Sequence, residues 1–387
     1  MGKSALITGV TGHLGPHLVA ELLAGGQFDQ IVIAGRDAGE PALARLQRVE
    51  ASARRAIARR DPSASPSARI VPLALRLDVP GLGLPLATWW DLAAHVDVIV
   101  HAAADTRFSA TRETLYGSNV AATRHVCEFA RSCHSLRQLL FVSTACVAGR
   151  TTGRVPERIA ADGDGFVNAY EQTKWQAEQI VVRSGLPARI ARLTTCAGSH
   201  ETGEVHRFGA IHHLFHWISR GLVPIVPGGA DTPIDIISTD VAAAWLARAA
   251  GCDPTGLDVC HVALGARAIP LGALLDFVAA RISATSTTAA ARVSRPVLVD
   301  QRTFELFQEM VATTGDALFA RVQGSARAML PSLLFPKRYE TANAEACWGG
   351  AIPHPDWRLL LSKVIAFGTA RNWGLGSPVE ECHVADA

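Results

Sequence analysis

The sequence predicts an α/β fold in which a doubly wound parallel sheet is followed by a smaller, mostly helical C-terminal region. Three observations predict it. A short apolar run, Ser4–Thr8, passes through a glycine-rich turn into a helix with apolar periodicity. Short apolar runs then alternate with helical segments as far as a sixth run, Ala188–Leu193, a pattern typical of parallel strands joined by right-handed crossovers. From residue 268 onward, amphipathic helical periodicity dominates.

The composition is that of a globular protein. The chain has 387 residues and a net charge of +2, so bulk charge gives no basis for nucleic-acid binding. No apolar stretch reaches about 18 residues, so we expect no membrane span. The eight cysteines show neither C-x-x-C nor metal-ligand spacing, so we expect reduced thiols, a cytoplasmic location and no metal site. We expect no signal or transit peptide at the N-terminus.

A candidate phosphate-binding turn lies between the first strand and the first helix. Its glycines have the spacing G-x-x-G-x-x-G. Such a turn lacks Cβ atoms where backbone N–H groups face a pyrophosphate, and the N-terminus of the following helix favours the negative charge. Its candidate cofactor-binding residues are Thr8, Gly9, Thr11, Gly12, His13, Leu14 and Gly15. Together with the flanking elements, this turn predicts a Rossmann nucleotide-binding domain.

The end of the second strand, Gln30–Ala34, indicates which dinucleotide binds. The strand ends in Gly35, Arg36 and Asp37, in which Arg36 precedes the acid, and an arginine there accommodates the 2′-phosphate of NADP. Asp37 follows it and leaves NAD(H) open as the less favoured cofactor. A third strand, Arg69–Leu75, is followed by Asp78 and Val79, which we expect at the adenine edge.

The next two strands deliver small and hydroxylated residues to the same edge of the sheet. The fourth strand exits through Ala102, Ala103 and Ala104, which allow a ring or ribose to approach the backbone. A long helix over residues 112–133 contains Asn119. The fifth strand, Gln138–Val142, presents two hydroxyls at its carboxyl end, where ligands bind in open α/β sheets. These candidates are Ser143 and Thr144.

Tyr170 and Lys174 are four residues apart on a predicted helix, so their side chains lie on one face. A nearby ammonium lowers the pKa of a phenol. Bringing that pKa from about 10 to about 7 takes roughly 4 kcal/mol. The alternative is an ordinary solvated helix face. The hydroxyls of the fifth strand favour the interpretation as an acid–base pair.

Two other clusters of side chains admit two interpretations each. An arginine-rich helix over residues 40–60 is either a solvated face or a basic surface for a phosphorylated carrier or coenzyme A. Its arginines are Arg45, Arg48, Arg54, Arg55, Arg59 and Arg60. His212 and His216 form an i, i+4 pair, but no carboxylate or thiol joins them, so core packing or lid surface is favoured over a metal.

The pattern predicts two regions. Residues 1–198, with return segments at about 233–265, form the NADP-binding domain, and residues 199–232 and 266–387 form a substrate-binding cap. The return includes Pro233–Ile237 and a helix after Thr239. In the cap, four side chains are spaced to cover an apolar pocket, namely Phe304, Phe307, Leu318 and Phe319.

The motifs together resemble the extended short-chain dehydrogenase/reductase family, and within it the fatty acyl-CoA reductase and thioester reductase branch. The resemblance covers residues 4–265. The motifs are Thr8–Gly15, His101–Phe108, Asn119–Thr123, Phe141–Gly149, Asn168–Glu178, Thr202–Glu204 and Pro233–Asp240. The sequence departs from the family pattern at His13, Cys146 and Ala148.

The resemblance implies a role for each candidate residue. Tyr170 donates a proton, and Lys174 activates Tyr170 and binds the nicotinamide ribose. Thr144 holds the substrate oxygen. Ser143 is the second substrate-binding hydroxyl, and Asn119 supports the surroundings of the lysine. The glycines hold the pyrophosphate and Arg36 the 2′-phosphate.

The implied activity is NADPH-dependent reduction of an acyl thioester, bound to coenzyme A or an acyl carrier protein, to an aldehyde or alcohol. The catalytic set serves two alternatives as well. One is a ketone or aldehyde reductase, or alcohol dehydrogenase, acting on a secondary metabolite. The other is a non-redox epimerase, dehydratase or cyclase, or a nucleotide-binding regulator.

Overall fold

The computed structural model describes residues 3–159, 161, 164–285, 293–313 and 317–374. One sheet contains seven strands, namely β1 Ser4–Thr8, β2 Gln30–Gly35, β3 Arg69–Ala74, β4 Val98–His101, β5 Gln138–Thr144, β6 Ala188–Leu193 and β7 Leu257–Val262. Their order in the sheet is β7-β6-β5-β4-β1-β2-β3, and every neighbouring pair is parallel. The predicted doubly wound α/β fold is confirmed.

The strand order reverses between β1 and β4, which lie side by side at the centre. In this register Thr8 is paired with His101. In open α/β sheets the ligand crevice lies beyond the carboxyl ends of the strands at such a reversal. The glycine turn that follows β1 and the alanines that follow β4 therefore lie together at this crevice.

Helices cover both faces of the sheet. They are α1 Gly15–Ala24, α2 Ala42–Arg60, α3 Leu86–His95, α4 Arg112–Leu115, α5 Ala122–Ser132, α6 Ala169–Arg183, α7 Ala210–Ser219, α8 Thr239–Gly251, α9 Leu271–Thr285, α10 Gln301–Ala312, α11 Ala317–Met329, α12 Ala342–Trp348 and α13 Trp357–Ala370. Among the described residues, no helix is long and apolar enough to cross a membrane.

Alternation along the strands divides the core into two clusters. Ile7 of β1 faces one cluster and Leu6 faces the other, because successive strand residues point to opposite sides. The Ile7 side also contains Phe215 of α7 and Val364 of α13. The C-terminal helices thus pack on the same face of the sheet as α1 and α8.

Several predicted elements differ in detail. The helix expected over residues 112–133 is interrupted, because a π-helical turn, Tyr116–Ala121, joins α4 to α5. Strand β5 includes both candidate hydroxyls. The segment 233–237 does not join the large sheet. Pro233–Ile234 is paired with Ile269–Pro270, and Ile236–Ile237 is paired with Thr195–Cys196.

The four predicted pocket-covering residues of the cap have different surroundings. Phe304 is buried in the core, and the rings of Phe307 and Phe319 pack edge to face with centroids 6.2 Å apart. Leu318 is exposed and lines a cavity. The described cysteines are all free thiols, and Cys382 lies outside the described residues.

Candidate active site

The glycine turn leaves no room for side chains at two positions. A Cβ on Gly9 would lie 2.4 Å from the carbonyl carbon of Ala102, and Gly9 has a φ of +79°. A Cβ on Gly15 would lie 2.0 Å from the carbonyl oxygen of Val10. Gly12 donates from its backbone N–H to the Gly9 carbonyl at 3.0 Å. The result is a bare backbone turn at the N-terminus of α1, which suits a pyrophosphate.

The other predicted residues of this turn differ in exposure and contacts. Leu14 directly precedes α1 and lines the cavity described below, whereas Thr11 is half-buried. His13 turns its Nε2 towards Thr239 Oγ1, 2.9 Å away. Burial, together with neighbouring histidines, lowers the pKa of His13 to about 3, so its ring is neutral.

A hydrogen-bonded chain connects β1 with the helix that follows β4. Ala103 donates to the Thr8 hydroxyl at 3.3 Å, and this hydroxyl lies 2.8 Å from Nδ1 of His101. Nε2 of His101 lies 3.3 Å from Thr123 Oγ1, which donates to the Asn119 carbonyl at 2.6 Å. Burial lowers the pKa of His101 to about 3. A neutral ring with the proton on Nε2 satisfies every bond in this chain.

The carboxamide of Asn119 connects three segments. It accepts from the N–H of Asp105 at 2.8 Å and donates to the Asp105 carbonyl at 3.0 Å and the Thr173 hydroxyl at 3.1 Å. Thr173 directly precedes Lys174 on α6. Asn119 lies in the π-helical turn, a feature frequent at functional sites. Its contacts hold the loop after β4 against α6.

Tyr170 lies among side chains that remove it from water. It is 7% exposed, its ring packs edge to face on Phe108 with centroids 5.3 Å apart, and its side chain is hydrogen-bonded to Thr144. Burial raises the pKa of Tyr170 above its usual value. The expectation that Lys174 lowers this pKa is therefore wrong here, because desolvation of the phenolate dominates. The phenol stays protonated at neutral pH, as a proton donor must.

Lys174 lies one turn along α6 and points into the sheet edge. Its Nζ donates to the Val142 carbonyl at 2.9 Å and lies 4.3 Å from the centroid of the Phe141 ring. Burial lowers its pKa to about 8, and the carboxylate of Glu178 opposes this shift. The ammonium is thus held at the carboxyl end of β5, next to the two hydroxyls.

The hydroxyls of Ser143 and Thr144 are used differently. Ser143 donates to Glu178 at 2.6 Å, and Glu178 is in turn paired with Arg192 at 2.7 Å. The Thr144 side chain is directed towards Tyr170 and accepts from the N–H of Cys146 at 3.2 Å. Ser143 and Thr144 both line the same cavity as Tyr170, but the Ser143 hydroxyl is engaged by Glu178 and the Thr144 side chain by Tyr170.

The predicted adenosine-side residues lie at the ends of β2 and β3. Arg36 is exposed, and Asp37 accepts from the N–H of Ala42 at 2.7 Å at the start of α2. Asp78 forms an ion pair with Arg76 at 2.8 Å, and this contact lowers the pKa of Asp78, with Arg36 adding to the lowering and burial opposing it. Val79 is half-buried beside these charges. This edge of the sheet therefore carries a guanidinium not engaged by Asp37.

Two adjoining cavities lie over the carboxyl edge of the sheet. The inner cavity has a volume of about 430 Å³ and reaches Gly9, Ala102, Ala104, Thr144, Tyr170 and Lys174. The outer cavity, of about 650 Å³, includes Arg207, Arg220 and Arg371. No Asp or Glu is among its described lining residues. Both cavities share Thr106, Phe108, Arg207, Phe208, Gly209, Ala210 and Met329, so they adjoin along this common wall.

The structure also shows the contacts of the arginine-rich helix α2 and of His212, the two cases that admitted two interpretations. Most arginines of α2 are paired with acids, which favours a solvated face. These pairs are Arg48–Glu40, Arg54–Glu50, Arg59–Glu204 and Arg60–Glu21. His212 accepts from the N–H of Gly209 at 2.9 Å and its Nε2 lies 2.7 Å from the Ala197 carbonyl, so its ring has a structural role and connects α7 to the segment after β6.

Sequence reasoning missed Phe108, Glu178 and Arg192. Phe108 is the last residue of the quoted motif His101–Phe108, but its contact with Tyr170 depends on the path of the loop. Glu178 lies one turn beyond Lys174 on α6, so an i, i+4 reading of that helix could have found it. Arg192 carries no such signal, because it reaches Glu178 across the sheet from β6.

The sheet, the glycine turn and the Thr144–Tyr170–Lys174 set define the class of NAD(P)-binding reductases of the extended short-chain type. The family described as male sterility protein, an NAD-binding family, matches residues 7–246. This protein belongs to that family, and the resemblance stated from the motifs is confirmed.

Known proteins of two kinds are similar to this chain. An isonitrile lipopeptide synthase of Streptomyces coeruleorubidus is 31% identical over 242 residues, which are 60% of this chain and 16% of the synthase. A carboxylic acid reductase of Segniliparus rugosus is 30% identical over 211 residues, 49% of this chain and 17% of the reductase. The chain thus spans less than a fifth of either relative.

A solved structure has a fold similar to that of this chain. The terminal R domain from the myxalamid PKS-NRPS biosynthetic pathway superposes with a TM-score of 0.74 at 19% identity. The match covers 96% of this chain and 92% of that domain. The likeness therefore includes the C-terminal helices as well as the sheet.

Proposed function

We propose that the protein reduces acyl thioesters with NADPH, using Tyr170 as proton donor. The observation that carries this proposal is the pair of adjoining cavities over the sheet edge, the inner of which is lined by Thr144 and Tyr170. A thioester carried on a long arm needs adjoining space of this kind, whereas a small ketone needs only a closed cup. The relatives support it, since they include a carboxylic acid reductase and a lipopeptide synthase.

The residues of the turn fit the dinucleotide. Gly9 and Gly15 would hold the pyrophosphate, because a Cβ at either position meets backbone atoms. The NADP form is supported by the exposed Arg36 and by Asp37, whose carboxylate is already engaged at the start of α2. When bound, the cofactor supplies a hydride to the carbonyl carbon of the substrate.

The side chains then handle the oxygen and its proton. Thr144 and Tyr170 donate to the carbonyl oxygen, and this stabilises the negative charge that develops there. Tyr170 transfers its proton to that oxygen, giving a hemithioacetal and a phenolate whose charge Lys174 offsets. The phenolate then takes back the hydroxyl proton as the C–S bond breaks. A thiolate leaves, an aldehyde forms, and Tyr170 is protonated again.

We also propose that the regions divide as the sequence suggests, with residues 1–198 and about 233–265 binding the cofactor and 199–232 and 266–387 forming the cap. The cavities support this division, because their outer walls come from α7, α11 and α13. Residues 286–292, 314–316 and 375–387 of the cap lie outside the described residues.

The test is to incubate the full chain with NADPH and an acyl-pantetheine thioester, following NADPH absorbance and released thiol. We expect one thiol per aldehyde formed. Consumption of NADPH with the matching ketone or aldehyde, but never with thioesters, would instead identify the alternative reductase. Retention of NADPH without oxidation of it by any of these substrates would identify a nucleotide-binding protein.

A further inference from the structure

We infer that the inner cavity selects an uncharged hydrocarbon acyl group and that Leu333 limits its length. This inference rests on the proposed function and names the substrate class of that same site. Its basis is the unequal chemistry of the two ends of the inner cavity. The hydroxyls of Thr144 and Tyr170 come from β5 and α6, whereas segments of the cap contribute alkyl side chains, and we call this cap side the apolar end.

The apolar end has three sources. Helix α7 contributes Ile218, helix α9 contributes Leu271 and Leu274, and the short turn Leu330–Leu334 contributes Leu333. Burial of apolar surface is favourable by about 0.8 kcal/mol per methylene. An alkyl chain that extends from the reacting carbonyl into this end would therefore gain affinity with each added methylene.

The charges of the cavity exclude an ionic acyl terminus. No Asp or Glu is among its described lining residues, so a cationic terminus has no partner there. Lys174 is already engaged by the Val142 carbonyl at the catalytic end, and Arg207 lies where the two cavities meet. His13 and His212 are held neutral by burial, with the pKa of each lowered to about 3 and about 4. A carboxylate at the alkyl end would lose its hydration without compensation.

Leu333 lies at a closely packed part of the wall. A Cβ on Gly228 would come within 3.3 Å of the Leu333 carbonyl oxygen and 3.4 Å of Leu271 Cδ2, so the turn, α9 and the Gly228 segment meet there. The next residue, Leu334, is also half-buried but does not line the cavity. The pair Leu333 and Leu334 therefore provides a test residue and a matched control in the same turn.

The experiment measures binding separately from turnover. The full chain, saturated with NADP⁺, is titrated calorimetrically with S-alkyl pantetheines from ethyl to octyl and with analogues ending in a carboxylate or an ammonium. We expect Kd to fall about fourfold per methylene until the chain fills the cavity, and to rise at least tenfold for either charged terminus. A flat series, or equal binding of a charged analogue, would overturn the inference.

Two variants test the role of Leu333. Leu333→Trp should weaken the longest ligands roughly tenfold or more while leaving ethyl unchanged, whereas Leu334→Trp should reproduce the wild-type series. Equal effects of both variants, or an equal loss at every length, would refute a length-limiting role. If Leu333→Trp does not fold, Leu333→Ala takes its place and should extend the series to longer chains.

Turnover of the matching thioesters reports on the proposed function independently. A rising alkyl series without thioester reduction would refute the proposed function and leave the cavity preference standing. Reduction of thioesters with no dependence on chain length would support the proposed function and refute the cavity preference.

Discussion

The carboxylate of Glu178 lies 2.7 Å from the guanidinium of Arg192, and both side chains are almost completely buried. The same carboxylate accepts from Ser143 at 2.6 Å and raises the pKa of Lys174 against the effect of burial. This ion pair therefore lies directly behind the proposed catalytic groups and influences the charge of one of them.

Replacement of Glu178 should shift the pH dependence of reduction. The pKa of Lys174 is lowered to about 8, so activity that needs its ammonium should fall as pH rises through that value. Glu178→Gln removes the charge that opposes this lowering, so the fall should occur at a lower pH, by about one unit or more. The measurement is kcat/KM against pH, with Tm recorded because a buried arginine loses its charged partner. Lys174→Arg should remove the alkaline fall, and an unshifted profile in Glu178→Gln would contradict the coupling.

Tyr170→Phe should reduce kcat by about 10²- to 10⁴-fold and leave the Kd of NADPH nearly unchanged. The phenol supplies a proton and packs on Phe108, and phenylalanine keeps only the packing. Kinetics and fluorescence titration with NADPH measure the two effects. Tyr116→Phe, at an exposed tyrosine, is the control and should behave as wild type. Retained turnover in Tyr170→Phe would remove Tyr170 from the mechanism.

Arg36→Ala should raise the KM for NADPH about 10- to 100-fold, the effect of losing a hydrogen bond between charged groups, with little change for NADH. The comparison is kcat/KM for the two cofactors in each variant. Asp37→Asn, at the neighbouring residue, is the matched control. Its carboxylate serves the start of α2, so we expect a modest loss of stability and an unchanged cofactor preference. A change of preference in Asp37→Asn alone would favour NADH as the natural cofactor.

Gly15→Ala should abolish NADPH binding or unfold the turn, since the new Cβ would lie 2.0 Å from the Val10 carbonyl oxygen. Gly324→Ala is the control. That glycine lies exposed in α11 with nothing near its missing Cβ, so alanine should raise the free energy of unfolding by up to about 1 kcal/mol. Thermal melting with and without NADPH distinguishes the two. A normal ligand-induced Tm shift in Gly15→Ala would exclude the proposed role of the turn.

Stability should depend on pH through His200. A hydrogen bond from His200 to the carboxylate of Asp240 raises the pKa of His200, and the two side chains are 2.9 Å apart. Because the folded-state pKa is the higher one, the stabilisation is present below roughly pH 6.5 and is lost as pH rises through the folded value. His200→Gln should flatten this dependence of the urea midpoint, whereas His134→Gln, at an exposed histidine outside this pair, should not. Equal slopes in all three proteins would show that the pair contributes nothing.

Local patterns were enough to predict the nucleotide-binding half of the fold. Short apolar runs that alternate with helical segments identified strands β1 to β6, and the glycine spacing located the turn before α1. Parallel strands bring their carboxyl ends to one edge, which is why Thr144 and Lys174 could be expected together. The assigned roles of these residues stay predictions.

Features that depend on tertiary packing were not predictable in the same way. The raised pKa of Tyr170 follows from its burial, with its ring packed on Phe108, whereas the sequence shows only its spacing from Lys174. Arg192 and Glu178 are paired across separate elements. The interruption between α4 and α5 could not be read from a periodicity of 3.6 residues, because α4 has only four residues and is too short to show a change of phase.

The π-helical turn at Tyr116–Ala121 makes the geometry of the site depend on the number of residues in this turn. Each residue of an α-helix rotates the next by about 100°. Deleting Gly117 from this turn would therefore regularise the helix and swing α4 relative to the Asn119 carboxamide. The bridge from Asp105 to Thr173 would be broken even though every participating side chain was retained. Variants that differ here by one residue should thus lose function as surely as variants that lack Asn119.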